Sequence, residues 1–287
     1  MKRILITGEN SYIGNSFADY LCRWPDQYLV EKMSLKKDHW RDASFRHSDV
    51  ILHVAGIAHV STDRKLEGIY FKVNRDLAIE TARKAKEEGV GQFIFLSSII
   101  VYGADDAASS GMTIDETTTI KPVNPYGRSK LEAESGILEL TDDCFKVVIL
   151  RLPIVYGPGC KGNFPRLLKL AKYALFFPNI ENQRSMIYIE NLNSLIKSLI
   201  DQECYGLFFP QNNEYVSTKN VILSYRKIIG KHTYLFPFPK SVMKLLSRIE
   251  VLNKAFGTKI YAKSVSGSIE YCTVNFEESM RRMIDSL

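Results

Sequence analysis

The chain of 287 residues has no apolar run long enough to cross a bilayer and no dense cluster of lysine and arginine. The first absence argues against an integral membrane segment. The second, with a net charge of only +6, gives no reason to expect nucleic-acid binding. The five cysteines are scattered without a C-x-x-C pair, so free thiols in a reducing compartment are expected. The first apolar segment begins at residue 3 without a signal-peptide pattern, so we expect a cytoplasmic location.

The N-terminal segment combines a strand pattern with a glycine-containing turn. Arg3 to Thr7 is a short run rich in β-branched residues, as expected of a buried parallel strand. Gly8 and Gly14 then hold the first and last positions of a G-x-x-G-x-x-G pattern, with Ser11 in the middle, and a helical pattern follows. A strand, such a turn and a helix present free backbone N–H groups to a pyrophosphate. The turn therefore predicts a dinucleotide site, with a plain strand–helix turn as the alternative.

Strand and helix patterns alternate through the first half of the chain. Strands are predicted at Tyr28 to Met33, Val50 to Val54, Gln92 to Ser97 and Phe145 to Leu150, and helices at Leu66 to Glu88 and around Tyr126. This rhythm predicts an α/β fold with a doubly wound parallel sheet of the Rossmann type. In such sheets ligands bind beyond the carboxyl ends of the strands. The segments expected at those ends are Gly8, Ala55-Gly56, Ser97-Ser98 and Arg151 to Pro153.

A smaller lobe is expected after Gly159, where the alternation fades. We assign residues 1–159 and about 186–200 to the dinucleotide-binding domain, because Ile187 to Leu199 is expected to return to the sheet. Residues 160–185 and about 201–287 then form a small substrate-binding lobe. This lobe includes a basic amphipathic stretch from Lys240 to Phe256. We expect that stretch to pack on the lobe, and contact with a membrane surface is the alternative.

A tyrosine and a lysine are spaced for proton transfer. Tyr126 and Lys130 are four residues apart in a helical segment, so both side chains lie on one face. There the ammonium group is expected to lower the pKa of the phenol from its usual ~10 towards neutrality. A phenol tuned in this way is a general acid and base for a carbinol or carbonyl. A hydroxyl of Ser97-Ser98 can bind the same substrate oxygen.

These motifs together resemble the extended short-chain dehydrogenase/reductase family, the NAD-dependent epimerases and dehydratases that act on nucleotide sugars. The resemblance runs from residue 1 to about 200. It is carried by the glycine turn, His53 to Gly56, Val73-Asn74, Ser97-Ser98, Val101 to Gly103, Tyr126 with Lys130, Arg151, Val155 to Pro158, Arg184 and Tyr188-Ile189. Gly159 to Phe164 and the short C-terminal lobe are most similar to bacterial capsule and O-antigen enzymes. Those enzymes include 4-keto reductases of UDP-N-acetyl sugars.

The resemblance implies a role for each matching residue. Tyr126 is the implied acid and base at the C4 oxygen of the sugar, Lys130 holds the nicotinamide ribose, and Ser98 is the implied catalytic serine. The implied cofactor contacts are Gly8, Ser11, Tyr12, Ile13, Gly14, Ala55, Gly56, Asn74, Ser97, Lys130 and Pro153. Asn163 and Arg184 match positions that contact the UDP part of the substrate, where a guanidinium can bind phosphate in a bidentate manner. For Arg184 a solvated loop charge is the alternative.

Ser34 follows the second predicted strand, where enzymes that prefer NAD place a carboxylate for the adenosine ribose. A small hydroxyl with Lys32, Lys36 and Lys37 nearby tolerates a 2′-phosphate that a carboxylate would repel. NADP(H) is therefore the favoured cofactor. NAD stays possible, because a shift of register would bring Glu31 to this position.

The expected reaction is reduction, by NADPH, of the C4 carbonyl of a UDP-4-keto-6-deoxy-N-acetylhexosamine in surface polysaccharide synthesis. Ile154 stands where many UDP-hexose 4-epimerases have asparagine, and the C-terminal lobe is short for such an enzyme. A UDP-sugar 4-epimerase with tightly bound NAD is nevertheless the alternative. A non-catalytic dinucleotide-binding regulator is a more remote one, because the chain retains Ser98, Tyr126 and Lys130.

Two other interpretations of the sequence are set aside. His53 and His59 lie six residues apart with no third ligand at a useful spacing, so we expect packing roles and no metal site. Family dehydratases carry an acid pair beside the catalytic serine or threonine, whereas Ile99-Ile100 follow Ser98 here. The Asp115-Glu116 pair is too far along the chain to replace it. Since many relatives dimerise through the two long helices, a homodimer is also expected.

Overall fold

Six parallel strands form a central sheet, and five of them are strands that the sequence predicts. The computed structural model describes residues 1–58, 67–103, 111–239 and 255–286. The six strands are β1 (Lys2–Thr7), β2 (Tyr28–Met33), β3 (Val50–His53), β4 (Gln92–Ser98), β6 (Lys146–Leu152) and β10 (Gly206–Phe208). Their order is β10-β6-β4-β3-β1-β2, and every neighbouring pair is parallel. The Rossmann-type α/β fold is therefore confirmed.

The sheet is buried on both faces, which explains the continuous apolar runs in its strands. The covering helices are α1 (Tyr12–Leu21) and α6 (Ile189–Asp201) on one face, and α3 (Leu77–Glu87) and α4 (Pro125–Leu138) on the other. Successive side chains of a strand point to opposite faces. In β1, Ile4 and Ile6 belong to the first core, and Leu5 between them belongs to the second.

The long helix predicted from Leu66 to Glu88 is interrupted. Leu66 lies outside the described residues, and the rest comprises α2 (Glu67–Tyr70), a π-helical turn (Phe71–Asp76) and α3. A π-helical turn is a local widening of the helix that is common at functional sites. Here it contains Asn74, whose buried side chain is bonded to the loop that follows β3. The regular α-helix predicted from the sequence is thus interrupted where the Asn74 side chain forms hydrogen bonds to a neighbouring loop.

The expected return of Ile187 to Leu199 to the sheet is wrong in detail. A short strand, β9 (Met186–Tyr188), pairs with β7 (Ile154–Tyr156) in a separate two-stranded sheet, and helix α6 follows at once. Buried Leu192, Leu195, Ile196 and Leu199 recur at helical spacing. The sixth strand of the central sheet is instead β10, so this sheet extends beyond the boundary near residue 200 that the sequence indicates.

The remaining elements form a lobe beside the carboxyl ends of the strands. They are β5 (Met112–Ile114), α5 (Asn163–Tyr173), β8 (Phe176–Asn179), α7 (Thr218–Ile228), β11 (Tyr234–Pro237), β12 (Lys259–Tyr261) and α8 (Phe276–Asp285). Strand β5 pairs with β12, and β8 pairs with β11. Most of the basic stretch from Lys240 to Phe256 lies outside the described residues. Within the part of the chain that is described, no helix is long and apolar enough to span a membrane.

The close packing of α1 on the sheet predicts a stability difference between two glycines. A Cβ at Gly14 would lie 2.8 Å from Cγ2 of Ile6 and 3.0 Å from Cγ2 of Val54, whereas a Cβ at helical Gly68 would meet nothing within 4 Å. We expect Gly14→Ala to lower the free energy of unfolding by about 1–3 kcal/mol through overpacking. Gly68→Ala should raise it by about 0.5–1 kcal/mol through helix propensity. Urea unfolding measures both, and equal effects would contradict the packing argument.

Candidate active site

The turn after β1 has the geometry of a dinucleotide-binding loop. Gly8 has a φ of +105°, and its N–H donates to the carbonyl of Met33 at the end of β2 over 2.8 Å. A Cβ at Gly8 would lie 2.9 Å from the backbone nitrogen of Ala55, so only glycine fits. Ser11 caps α1, and its hydroxyl oxygen accepts from the Gly14 N–H over 3.3 Å. The Ser11 proton is left to donate towards a phosphate at the helix N-terminus.

The side chains of Tyr12 and Ile13 pack inward from the same turn. Both are half-buried against the core that contains α6. The Tyr12 hydroxyl is so deeply placed that a Cβ at Gly157 would come within 2.7 Å of it. Burial raises the pKa of this phenol well above its usual range. Tyr12 therefore contributes its backbone to the turn, and its ring holds the turn against the sheet.

Gly56 lies at the floor of a cleft between β3 and the helices of the second layer. A Cβ there would lie 3.1 Å from Oδ1 of Asn74 and 3.5 Å from Nζ of Lys130. Asn74 accepts from the N–H of Ile57 over 2.9 Å and donates to its carbonyl over 3.0 Å. Its amide also donates to the hydroxyl of Ser129 on α4 over 3.3 Å. The cleft is thus kept open by a glycine and fixed by one buried amide.

Ser34 is the first residue beyond β2, which agrees with the register assumed from the sequence. Glu31 pairs with Leu5 two residues before the strand ends, so it does not occupy the position next to the glycine turn. Lys32 donates to Oδ1 of Asn15 on α1 over 2.8 Å. The ribose end of a dinucleotide on this turn would face a hydroxyl and lysines.

Helix α4 begins directly before the candidate acid. Asn124 caps it by accepting from the Gly127 N–H over 2.8 Å, and Pro125 occupies its first turn. These residues place Tyr126 in the first turn, with its ring 5.9 Å from that of buried Tyr70. Burial raises the pKa of Tyr126, and a hydrogen bond with Ser98 opposes this only partly. Ser98 and Tyr126 therefore lie close together, and their catalytic roles stay predictions.

The expected lowering of the Tyr126 pKa by Lys130 is not what the structure shows. Lys130 is buried, and its ammonium group donates to the carbonyl of Leu96 over 2.8 Å and lies 4.5 Å from the centre of the Phe95 ring. Burial lowers the pKa of Lys130 itself to about 8, against an opposing effect of Glu134. The ammonium is directed at β4 and the floor of the cleft, so desolvation dominates at the phenol.

His53 has a packing role at the end of β3. Its ring stacks 5.7 Å from that of Phe93 and lies 6.0 Å from that of Phe95, and Nδ1 is bonded to the Thr7 hydroxyl over 2.9 Å. Burial, with nearby Lys130, lowers the pKa of His53 to about 3, so the ring is neutral at physiological pH. His59, the other histidine considered for a metal, lies outside the described residues.

A buried ion pair underneath the site escaped the sequence analysis. Glu134 is 2% exposed and accepts from Nη2 of Arg151 over 2.6 Å and from its Nε over 3.1 Å. Ser97 donates to the same carboxylate, and Nη1 of Arg151 donates to the Tyr102 hydroxyl over 2.6 Å. The Tyr261 hydroxyl of β12 donates to the Arg151 carbonyl over 2.7 Å. The sequence did contain a signal for Glu134, because it follows Lys130 by one helical turn, as Lys130 follows Tyr126.

The candidate substrate residues lie in different surroundings. Asn163 is exposed at the start of α5, and Pro153 is buried between β6 and β7. Arg184 is buried, and its backbone exchanges hydrogen bonds of 3.0 and 3.1 Å with Val216. A solvated loop charge, the alternative for Arg184, is therefore wrong.

Two further residues near the site carry no sequence signal that identifies them. Buried Lys259, on β12 next to Arg184, donates to the carbonyl of Gly103 over 2.5 Å. Tyr70 lies against the acid's ring from the helix on the other side. Both residues come from segments that are distant in sequence and are brought to the site by the fold. The spacing of nearby residues therefore could not identify them.

The buried ion pair predicts strong coupling between two substitutions. Arg151→Met and Glu134→Leu each leave an uncompensated buried charge, so each should lower the free energy of unfolding by about 3–5 kcal/mol. The double variant should lose clearly less than the sum. The exposed pair Arg281–Glu277, with a separation of 3.1 Å, is the control and should couple by less than about 1 kcal/mol. Urea unfolding of the double-mutant cycles measures both, and additive losses at Glu134 and Arg151 would contradict the pairing.

Comparison with known proteins agrees with the geometry. Residues 4–203 match the model of the NAD dependent epimerase/dehydratase family. The chain is 29% identical over 286 residues to a UDP-glucose 4-epimerase of Vibrio cholerae, covering 90% of this chain and 86% of that protein.

Two solved structures have the same fold. UDP-glucuronic acid 4-epimerase of Bacillus cereus, in complex with NAD, is 19% identical with a TM-score of 0.76, covering 99% of this chain and 98% of that one. dTDP-4-dehydrorhamnose reductase of Bacillus anthracis, in complex with NADP, is 20% identical with a TM-score of 0.73, covering both chains fully. With its glycine turn, its cleft at Gly56 and its Ser98–Tyr126 pair, the chain belongs to the NAD-dependent epimerase/dehydratase family of nucleotide-sugar enzymes.

Proposed function

We propose that the chain is an NADPH-dependent reductase of the C4 carbonyl of a UDP-4-keto-6-deoxy-N-acetylhexosamine. The observation that carries this proposal is Ser34, which directly follows β2 at the position where a carboxylate would select NAD. A cofactor with a 2′-phosphate suits a net reductase that releases its oxidised cofactor, whereas an epimerase retains NAD. Burial raises the pKa of Tyr126, so the phenol holds its proton at neutral pH and is able to donate it to a carbonyl oxygen.

In the proposed carbonyl reduction each residue of the cleft has a different role. When bound, the dinucleotide supplies the hydride. Tyr126 delivers its phenolic proton to the carbonyl oxygen, and the Ser98 hydroxyl binds that oxygen and orients it. Lys130, whose ammonium is fixed at the floor of the cleft beside Gly56, is positioned to bind the ribose hydroxyls. Acid catalysis of this kind contributes roughly 10²–10⁴-fold to the rate.

The preference for NADPH is supported by the residues that follow β2. Ser34 stands next to the glycine turn in place of a carboxylate, and Lys36 and Lys37 behind it are exposed. A carboxylate at this position would repel a 2′-phosphate, whereas lysines attract it.

The proposed substrate extends from the cleft to the lobe. The reacting sugar would lie against Ser98 and Tyr126, and the diphosphate and uridine would lie towards Arg184 and Asn163. The buried guanidinium of Arg184 is suited to a phosphate, because a charge-assisted bond is stronger where water is excluded. In this division the central sheet carries the cofactor and the lobe carries the nucleotide sugar. We place the reaction in the cytoplasm, in the synthesis of a surface polysaccharide.

A UDP-sugar 4-epimerase is the second candidate, and the similarity to the Vibrio cholerae enzyme over most of both chains favours it. An epimerase retains its NAD and returns the hydride to the same sugar, with Ser98, Tyr126 and Lys130 serving both directions. The two candidates differ in the cofactor that stays bound. A non-catalytic dinucleotide-binding regulator would have no use for the Ser98–Tyr126 pair.

The deciding experiment is to denature the purified protein, identify any released nucleotide, and titrate the emptied protein with NADPH and NADH. Under the reductase proposal the site of the purified protein is mostly empty, and NADPH binds more tightly than NADH by about tenfold or more.

The variant Ser34→Asp should then lose most of its NADPH affinity and keep its NADH affinity. Lys161→Asp, the control, changes an exposed charge on the lobe and should alter neither affinity. Stoichiometric NAD that survives purification would instead establish the epimerase.

The state of the phenol predicts a one-sided pH profile for reduction. We expect kcat/KM to be level through the neutral range and to fall as the pH rises above about 8, where buried Lys130 loses its proton.

Tyr126→Phe should lower kcat by about 10²–10⁴-fold and leave NADPH affinity within a factor of about three. Stopped-flow consumption of NADPH over a range of pH measures both. An activity that rises through neutral pH would show that the phenolate is the working form.

The proposed homodimer would use the helices on the α3 and α4 side of the sheet. Two partly exposed ion pairs of 2.6 Å lie on this side: Arg75 of the π-helical turn pairs with Glu132 of α4, and Lys86 of α3 pairs with Asp142 in the loop after α4. Exposed Ile69 and Leu138 lie on the same layer and supply apolar surface. Sedimentation equilibrium tests this part of the proposal separately from the reaction.

A further inference from the structure

An exposed apolar surface lies on the lobe, at the end of α5 and on the paired strands β8 and β11. Its members are Tyr173, Leu175, Phe176, Tyr234 and Phe236, here called the aromatic face. Tyr173 is 77% exposed, Phe176 65% and Tyr234 55%, although side chains of these types are usually buried or half-buried. Phe176 is paired with Tyr234, whereas Leu235 is paired with Phe177, whose side chain points to the opposite side of the strand pair, is buried and lies 6.1 Å from the ring of Phe256. The strand pair therefore has one face against the core and an apolar face in solvent.

The aromatic face is a fixed structure. The Arg226 guanidinium is buried and donates to the carbonyls of Lys172 and His232, which joins the end of α5 to the residues before β11. Thr233 donates to the carbonyl of Ala174 over 2.8 Å, and the Tyr234 N–H donates to that of Leu175 over 2.7 Å. The rings of Phe176 and Tyr234 then lie 5.8 Å apart across the strand pair. These hydrogen bonds fix the backbone that carries the exposed rings.

The charged residues in the two segments that build the aromatic face are all basic, and exposed Glu181, which follows β8, is paired with Lys219. Arg166, Lys169, Lys172 and Lys231 are exposed beside it. No aspartate or glutamate occurs between residues 160 and 180 or between residues 221 and 239, and both segments lie within the described residues. The chain as a whole carries only +6, so the basic residues are concentrated here relative to the acids. Such a surface is electrostatically complementary to a sheet of negative charge.

We propose that the aromatic face docks the protein on an anionic phospholipid bilayer as a peripheral contact. Tyrosine and phenylalanine rings partition into the membrane interface, and lysines next to them attract acidic headgroups. The inference concerns a surface that does not include the candidate catalytic residues, so it holds for a reductase or an epimerase alike.

Vesicle flotation tests the proposal with the whole chain. Vesicles of phosphatidylcholine with phosphatidylglycerol should carry the protein upward, and vesicles of phosphatidylcholine alone should not. Binding should fall by about tenfold or more between about 0.1 M and 0.5 M salt, because the attraction is screened. The double variant Lys169→Glu/Lys172→Glu should lose binding by a similar factor. Phe176→Ser/Phe236→Ser should lose it as well, at unchanged net charge.

The matched control is Arg46→Glu/Arg83→Glu, which makes the same change of net charge at two exposed positions on the other part of the chain. It should keep most of its binding. Equal losses in the control and in the lysine variant would overturn the proposal, as would no binding of the unaltered chain to anionic vesicles. If the phenylalanine variant changes the sedimentation mass of the protein, the aromatic face is an interface between copies, and the membrane proposal fails. Circular dichroism and NADPH titration show that each variant is folded.

Discussion

The ion pair between Glu134 and Arg151 is the interaction on which the arrangement of the site depends. Through Ser97 it fixes the end of β4 beside Ser98, and through helix α4 it fixes the turn that carries Lys130. The Arg151 carbonyl holds β12 of the lobe through Tyr261. A buried pair costs desolvation and repays it only with good geometry. Here the ion pair fixes two strands, a helix and the lobe in position relative to one another.

Because all neighbouring strands of the sheet are parallel, every strand delivers its next residue to the same edge. Gly8, Ala55 and Ser98 are separated by up to ninety residues in the chain, yet each lies at or just after the carboxyl end of a strand of this one sheet. The apolar runs and the helical spacings were therefore sufficient to predict the fold and the position of the glycine turn, and the catalytic roles of Ser98, Tyr126 and Lys130 stay predictions. In this part of the chain the local sequence patterns agree with the global topology, and a fold can be predicted from sequence where the two agree.

The features that the sequence did not reveal depend on distance in space. Asn74 opens a helix into a π-helical turn because its amide reaches a loop seventeen residues away. Lys130 shares a helix face with Tyr126, but its ammonium is bound by the Leu96 carbonyl, and burial then raises the pKa of the phenol. Helical spacing fixes which face a side chain occupies, and it does not fix the partner or the local dielectric. The sign of a pKa shift depends on both.

That reversal of sign bears on the direction of the chemistry. Burial raises the pKa of Tyr126 and lowers that of Lys130 to about 8, so near pH 7 the phenol is neutral and the lysine is still largely charged. A neutral phenol can give its proton to a carbonyl oxygen, whereas removing a proton from a carbinol requires the phenolate. A bound oxidised nicotinamide, which is cationic, would favour the phenolate, so the charge of the cofactor determines which form of Tyr126 is present at the start of the reaction.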